Sequence, residues 1–183
     1  NSIDYILFHE FTHFYDAMEY STGDNLLMAK NRAFTEYHAS QIEMLKLLEI
    51  EFILDKPSFS VSNTIVSTIL GDKTVFRYIK EELEGIRNLI SNEKFPKDIK
   101  ELSTALGMIF NSLGRISICR MYASDYAIYK KELENMEFIK SYFGGNFTKI
   151  INDMVGFLDK ETQIKIGNLN YLVLEEQIKK SGL

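Results

Sequence analysis

Residues 2–20 read SIDYILFHEFTHFYDAMEY, and their apolar positions Ile3, Ile6, Leu7, Phe11, Phe14 and Met18 recur at helical spacing. The pattern predicts a first helix from about Ser2 to Tyr20, capped by Asn1 or Ser2, and Ile6, Leu7, Phe8, Phe11, Phe14 and Tyr15 mark it as a buried helix. Ser21-Thr22-Gly23-Asp24 closes it and offers Asp24 as the next cap. A second, long helix is expected to run to about Leu54, where Asp55-Lys56-Pro57 stops it.

Working outward, the rest of the chain reads as further helices. Val61 to Leu70 is rich in β-branched residues, but no strand partner is evident, so it is read as a helix. Asp72 to Asn92 carries Val75, Tyr78, Ile79, Leu83, Ile86 and Ile90 on one face. A helix from Pro96-Lys97-Asp98 to about Tyr122 contains Gly107 and Gly114, which allow close helix contact. Ser124 or Asp125 starts a helix to Phe143, stopped by Gly144-Gly145. Segments 146–158 and 161–180 complete the set. The predicted class is mainly α. Residues 1–56 are expected to form a helix pair, and 57–183 a helical remainder packed with it as one domain.

With 183 residues and 45% hydrophobic content, the chain can bury a sizeable core. A net charge of −5 with scattered basic residues argues against nucleic acid as a partner. One cysteine, Cys119, excludes an intramolecular disulfide and fits a reducing, cytoplasmic setting. The most apolar run, Ala105 to Met121, is broken by Asn111, Arg115 and Arg120, so no membrane span is expected. Arg115 and Arg120 are either buried and paired or, as is commoner, snorkel to the surface, and Glu81, Glu82 and Glu84 are expected to form a solvated face.

Within the first helix stands His9-Glu10-Phe11-Thr12-His13. Two histidines four apart lie one turn from each other on one helix face, so their imidazoles can converge on a single metal ion. Glu10 projects beside that ion without ligating it. It is therefore free to take a proton from water activated by Zn2+, which lowers the water pKa to about 7. Such a site needs a third protein ligand. Asp16 and Glu19 replace the glycine and third histidine that a shortly following ligand motif would need. The second helix offers Glu36, with Ala29, Ala33, Ser40 and Glu43 on the same face to permit a close crossing. His38, about 200° round the helix, is the alternative third ligand. Tyr37 is the first candidate for the oxyanion donor, with Tyr20 and His38 behind it.

HEFTH followed by Glu36-Tyr37-His38-Ala39 resembles the gluzincin group of HExxH zinc metallopeptidases. Its compact spacing is similar to that of phage- and mobile-element-associated peptidases of the ImmA/IrrE type. The resemblance covers about residues 5–48. It implies a multi-helix zincin-like domain whose motif helix packs on a glutamate-bearing long helix, and a peptide or protein substrate. It also implies one zinc ion on His9, His13 and Glu36, with Glu10 as general base. Two departures stand out. Ser40 occupies the place of the aspartate that orients a zinc histidine, leaving Glu43, Asp16 or Asp4 as substitutes. The sheet that precedes the motif helix in such peptidases, and holds substrate by strand addition, is not expected within these residues: either it lies upstream in the intact protein or the substrate groove is built differently. The competing expectation is a non-catalytic helical interaction module that retains a metal site.

Overall fold

Asp24, Thr74, Asp98 and Asp159 each start a helix, their side-chain oxygens accepting from first-turn backbone N–H groups. The computed structural model describes residues 3–20, 24–50 and 58–183. In chain order these form α1 (Asp4–Tyr20), α2 (Asn25–Leu47), β1 (Ile65–Thr68), β2 (Gly71–Thr74), α3 (Val75–Ile90), α4 (Ile99–Tyr122), α5 (Tyr126–Leu133), α6 (Glu137–Phe143), α7 (Gly145–Asp153) and α8 (Lys160–Ser181). The chain is mainly helical, as its periodicity predicts. The expected cap at Asn1 or Ser2, the turn at residues 21–23 and the stop at Asp55-Lys56-Pro57 lie outside the described residues.

The core is built around α4, which packs against α2 and α3, while α2 also lies against α1 and α8. Leu102, Ile109, Phe110 and Ile118 of α4 are buried with Tyr37 and Met44 of α2 and Ile79 and Ile86 of α3. The α2–α4 crossing is close because Gly114 has no side chain: a Cβ there would meet the Tyr37 carbonyl oxygen at 2.3 Å. By length and composition α4 could cross a membrane, but 78% of its most apolar window is buried inside the protein.

Several expectations are corrected. Residues 61–70 are not helical: β1 pairs antiparallel with β2, Ile65 opposite Thr74 and Thr68 opposite Gly71. The partner strand is the next four residues, Gly71-Asp72-Lys73-Thr74, of which Asp72 to Thr74 are polar and read as the start of a charged helix. Helix α2 ends at Leu47 rather than Leu54. There the Ile50 N–H reaches back to Leu45 O at 3.0 Å and Glu49 takes a left-handed φ of 55°. The single helix expected up to Phe143 breaks between Leu133 and Glu137. Asp125 does not cap α5 with its side chain, because that carboxylate accepts from Val61 N–H at 2.7 Å and Ser60 Oγ at 2.8 Å.

The largest correction concerns α1. Its apolar stripe faces outward, with Phe11, Phe14 and Met18 each 66–67% exposed. Its buried residues are Tyr5, Thr12 and Asp16. The polar side turns inward because α2 presents Glu36, His38 and Glu43 to it, so each buried polar group finds a partner.

Candidate metal centre

Across the α1–α2 contact, His9, His13 and Glu36 place one potential ligand atom each within 4.8 Å of one another. The two Nε2 atoms are 3.0 Å apart, Glu36 Oε2 lies 3.5 Å from His13 Nε2, and the His9 Nε2 to Glu36 Oε2 separation is 3.9 Å. A tetrahedral ion with bonds of about 2.0–2.1 Å needs donor atoms roughly 3.3 Å apart, so the triangle has the dimensions of one face of such a site. Two neutral imidazoles and one carboxylate suit a borderline-soft dication and leave a fourth position open.

Each donor is held from behind. His9 Nδ1 is 2.9 Å from Glu43 Oε2. Because an ionised carboxylate only accepts, this contact puts the ring proton on Nδ1 and leaves the Nε2 lone pair aimed at the triangle. Burial opposes the charge on Glu43, but Arg115, His9 and Tyr78 outweigh it and hold its pKa below the ordinary range. Arg115 Nη2 donates to both Glu43 oxygens at 2.9 and 3.0 Å, and Tyr78 OH donates to Oε1 at 2.9 Å. Arg115 Nη1 donates in turn to Glu82. Arg115 is thus buried and paired, not snorkelling, and Glu82 belongs to this network rather than to a solvated face.

Glu36 is buttressed by Asn111 of α4. With its amide nitrogen toward Glu36, Asn111 donates to Glu36 O at 2.9 Å and to Oε2 at 3.2 Å. In the opposite orientation its carbonyl would face two acceptors. A Cβ on Gly107 would come within 3.4 Å of Glu36 Oε1, so the glycine keeps the space beside the carboxylate. Burial works against the Glu36 charge, but His13, Arg32 and His9 prevail and lower its pKa. The mirror effect acts on His13, where burial is outweighed by Glu36, with Glu10 and Asp16 adding, and the pKa is raised above 6.5. In metal-free protein this favours a proton on His13 Nε2, which faces the bare His9 Nε2 at 3.0 Å and Glu36 Oε2 at 3.5 Å.

Glu10 is exposed, roughly 60° round α1 from His13 by the helical repeat. A cavity of about 330 Å³ opens beside His9, lined by Tyr5, Ile6, Ile69, Leu70 and Tyr78 among others. The hairpin loop is tied to α1 there, Ile69 N–H donating to Tyr5 OH at 3.1 Å.

His38 does not join the triangle. Its Nδ1 lies 3.0 and 3.1 Å from the Asp16 oxygens, and its ring stacks on Phe34 with centroids 5.4 Å apart. The expectation for Tyr37 is also corrected. Its side chain is fully buried, and its hydroxyl donates to Gly156 O at 2.7 Å on the α4 side of α2. One residue of helix rotation carries it away from Glu36. Burial also pushes the Tyr37 hydroxyl up to about 12, so it stays protonated. Tyr78, Asn111 and Glu82 were not anticipated. Arg115 gave a readable signal, since a cation inside an apolar helix requires a buried partner.

No family model matches the chain, and no curated protein or solved structure matches it either.

Proposed function

We propose that this chain is a zinc-dependent metallopeptidase centred on His9, His13 and Glu36. The observation that carries the reading is the convergence of these three donor atoms within 4.8 Å, with His9 backed by an ionised carboxylate. Zinc held there supplies a Lewis acid that polarises a peptide carbonyl and acidifies water to a pKa of about 7. Glu10, exposed on the flank next to His13, takes the proton from attacking water and returns it to the leaving amine. Glu43 and Asn111 hold His9 and Glu36 in place, so little reorganisation is needed when substrate arrives.

A second reading, a helical interaction module with a structural metal, is favoured by one observation. The hydroxyls of Tyr37 and Tyr78 are both engaged, by Gly156 O and Glu43 Oε1, so neither stands free as an oxyanion donor. One experiment separates the readings. Purified protein is expected to carry about one zinc by elemental analysis and to cleave an unfolded protein substrate. Glu10→Gln keeps the zinc and loses cleavage by a factor of about 100 or more. Zinc without cleavage in the unaltered protein selects the module. A folded protein that takes up no zinc removes both.

A further inference from the structure

The outward face of α1 is unusual for a polar-cored helix pair. Leu7, Phe11, Phe14 and Met18 are 48–67% exposed and follow one another along the helix. With roughly 100 Å² of apolar surface on each, and Ile3 beside them at 58% exposure, the patch reaches about 500 Å². That is at the upper end of what a monomer leaves in water. The same segment holds a second peculiarity. Residues 1–29 contain five carboxylates (Asp4, Glu10, Asp16, Glu19 and Asp24) and no lysine or arginine. The remaining 21 carboxylates are matched by all 21 basic residues of the chain, so the net charge of −5 resides entirely in α1 and its flanks. Asp16 is buried against His38, whereas Glu10 flanks the apolar stripe on one side and Glu19 on the other.

We propose that the outer face of α1 is a docking surface for a cationic polypeptide that presents an apolar ridge flanked by lysine or arginine. Charge selects this occupant. A second copy of the chain would bring two acidic borders together, a like-charge juxtaposition that opposes association. Anionic lipid would be repelled for the same reason, and helices that lie in membrane interfaces carry basic residues, which α1 lacks. An apolar ridge with basic flanks covers the exposed aromatic rings while pairing Glu10 and Glu19. Glu10 is shared with the zinc reading, but the apolar stripe lies opposite the buried side that bears His9 and Asp16, so docking itself needs no metal.

The test uses the 183-residue chain. Two 18-residue helical peptides share one leucine face and differ in carrying lysine or glutamate on the other. Titration calorimetry is run at about 50 and 300 mM salt. The lysine peptide is expected to bind at least 10-fold more tightly than the glutamate peptide. Its affinity falls about 10-fold at the higher salt, as screening of rim charges requires. Phe11→Ser with Phe14→Ser abolishes binding; both positions are exposed, so the helix is retained, as circular dichroism verifies. Glu19→Gln weakens the lysine peptide alone. Chelator leaves all of this unchanged. Equal binding of the two peptides overturns the proposal. So does a dimer by sedimentation that the double serine variant dissolves, or binding to phosphatidylserine vesicles in preference to the lysine peptide.

Discussion

Glu43 accepts from His9, Tyr78 and Arg115 at 2.9–3.0 Å, a set of contacts drawn from α1, α3 and α4. Its role follows from what an ionised carboxylate can do: accept the Nδ1 proton and leave Nε2 bare. Glu43→Gln turns that acceptor into an amide that can offer either end. Zinc affinity is expected to weaken about 10- to 100-fold in a chelator competition, with the helical content of the protein unchanged. Unaltered affinity would show that His9 needs no orientation from Glu43. At this scale the donors themselves were legible. His9 and His13 share a helix, so their spacing alone brings them together. Glu36 required one further assumption, that α2 crosses α1. Asn111, Tyr78 and Arg115 are separated from the motif by scores of residues, and local periodicity does not link them to it, although Arg115 inside an apolar helix signals a buried partner of some kind.

Helices α2 and α4 approach so closely that Gly114 has a Tyr37 carbonyl where a methyl group would sit. Gly114→Ala therefore forces two backbones apart and is expected to cost about 3 kcal/mol or more in denaturant unfolding. Gly85, inside α3, has its nearest such neighbour at 4.0 Å, the tip of Met108. Gly85→Ala is expected to stabilise by about 0.5–1 kcal/mol through helix propensity alone. Equal effects at the two positions would contradict the described crossing. Helix existence was readable from period 3.6, and four caps coincide with Asp or Thr. Two element-level readings failed for identifiable reasons. The hairpin was missed because β2 is polar and adjacent in sequence, so no distant apolar run advertised it. Helix α1 reads as buried, yet only its polar side is, because periodicity reveals an apolar side but not which side meets the core.

For the whole molecule, the pairing of His13 with Glu36 and of Glu43 with Arg115 sets a pH window. His13 has its pKa raised above 6.5 in the folded chain, so its contribution is complete below 6.5 and is lost as pH rises through the raised value. Glu36 and Glu43 have theirs lowered from 4.5, so their contributions are present above 4.5 and are lost as pH falls through the lowered values. Metal-free protein is expected to be most stable between these limits, with stability in urea declining above the window. His13→Ala removes the alkaline decline. On the zinc reading proposed above, added zinc is expected to reverse its sign, because the ion would replace the His13 proton and bind better as pH rises. A chelated protein that grows steadily more stable up to pH 8 would contradict the pairing. Composition and periodicity by themselves determined a mainly helical chain, and the four-residue histidine spacing determined that His9 and His13 lie side by side, because both depend on neighbours within a few turns. Only the tertiary structure decided which face of α1 is buried and that Arg115 lies inside. Only it placed Tyr37 in the core and Glu43 behind His9, because these depend on which polar groups meet when separate helices pack, and each must find its partner there.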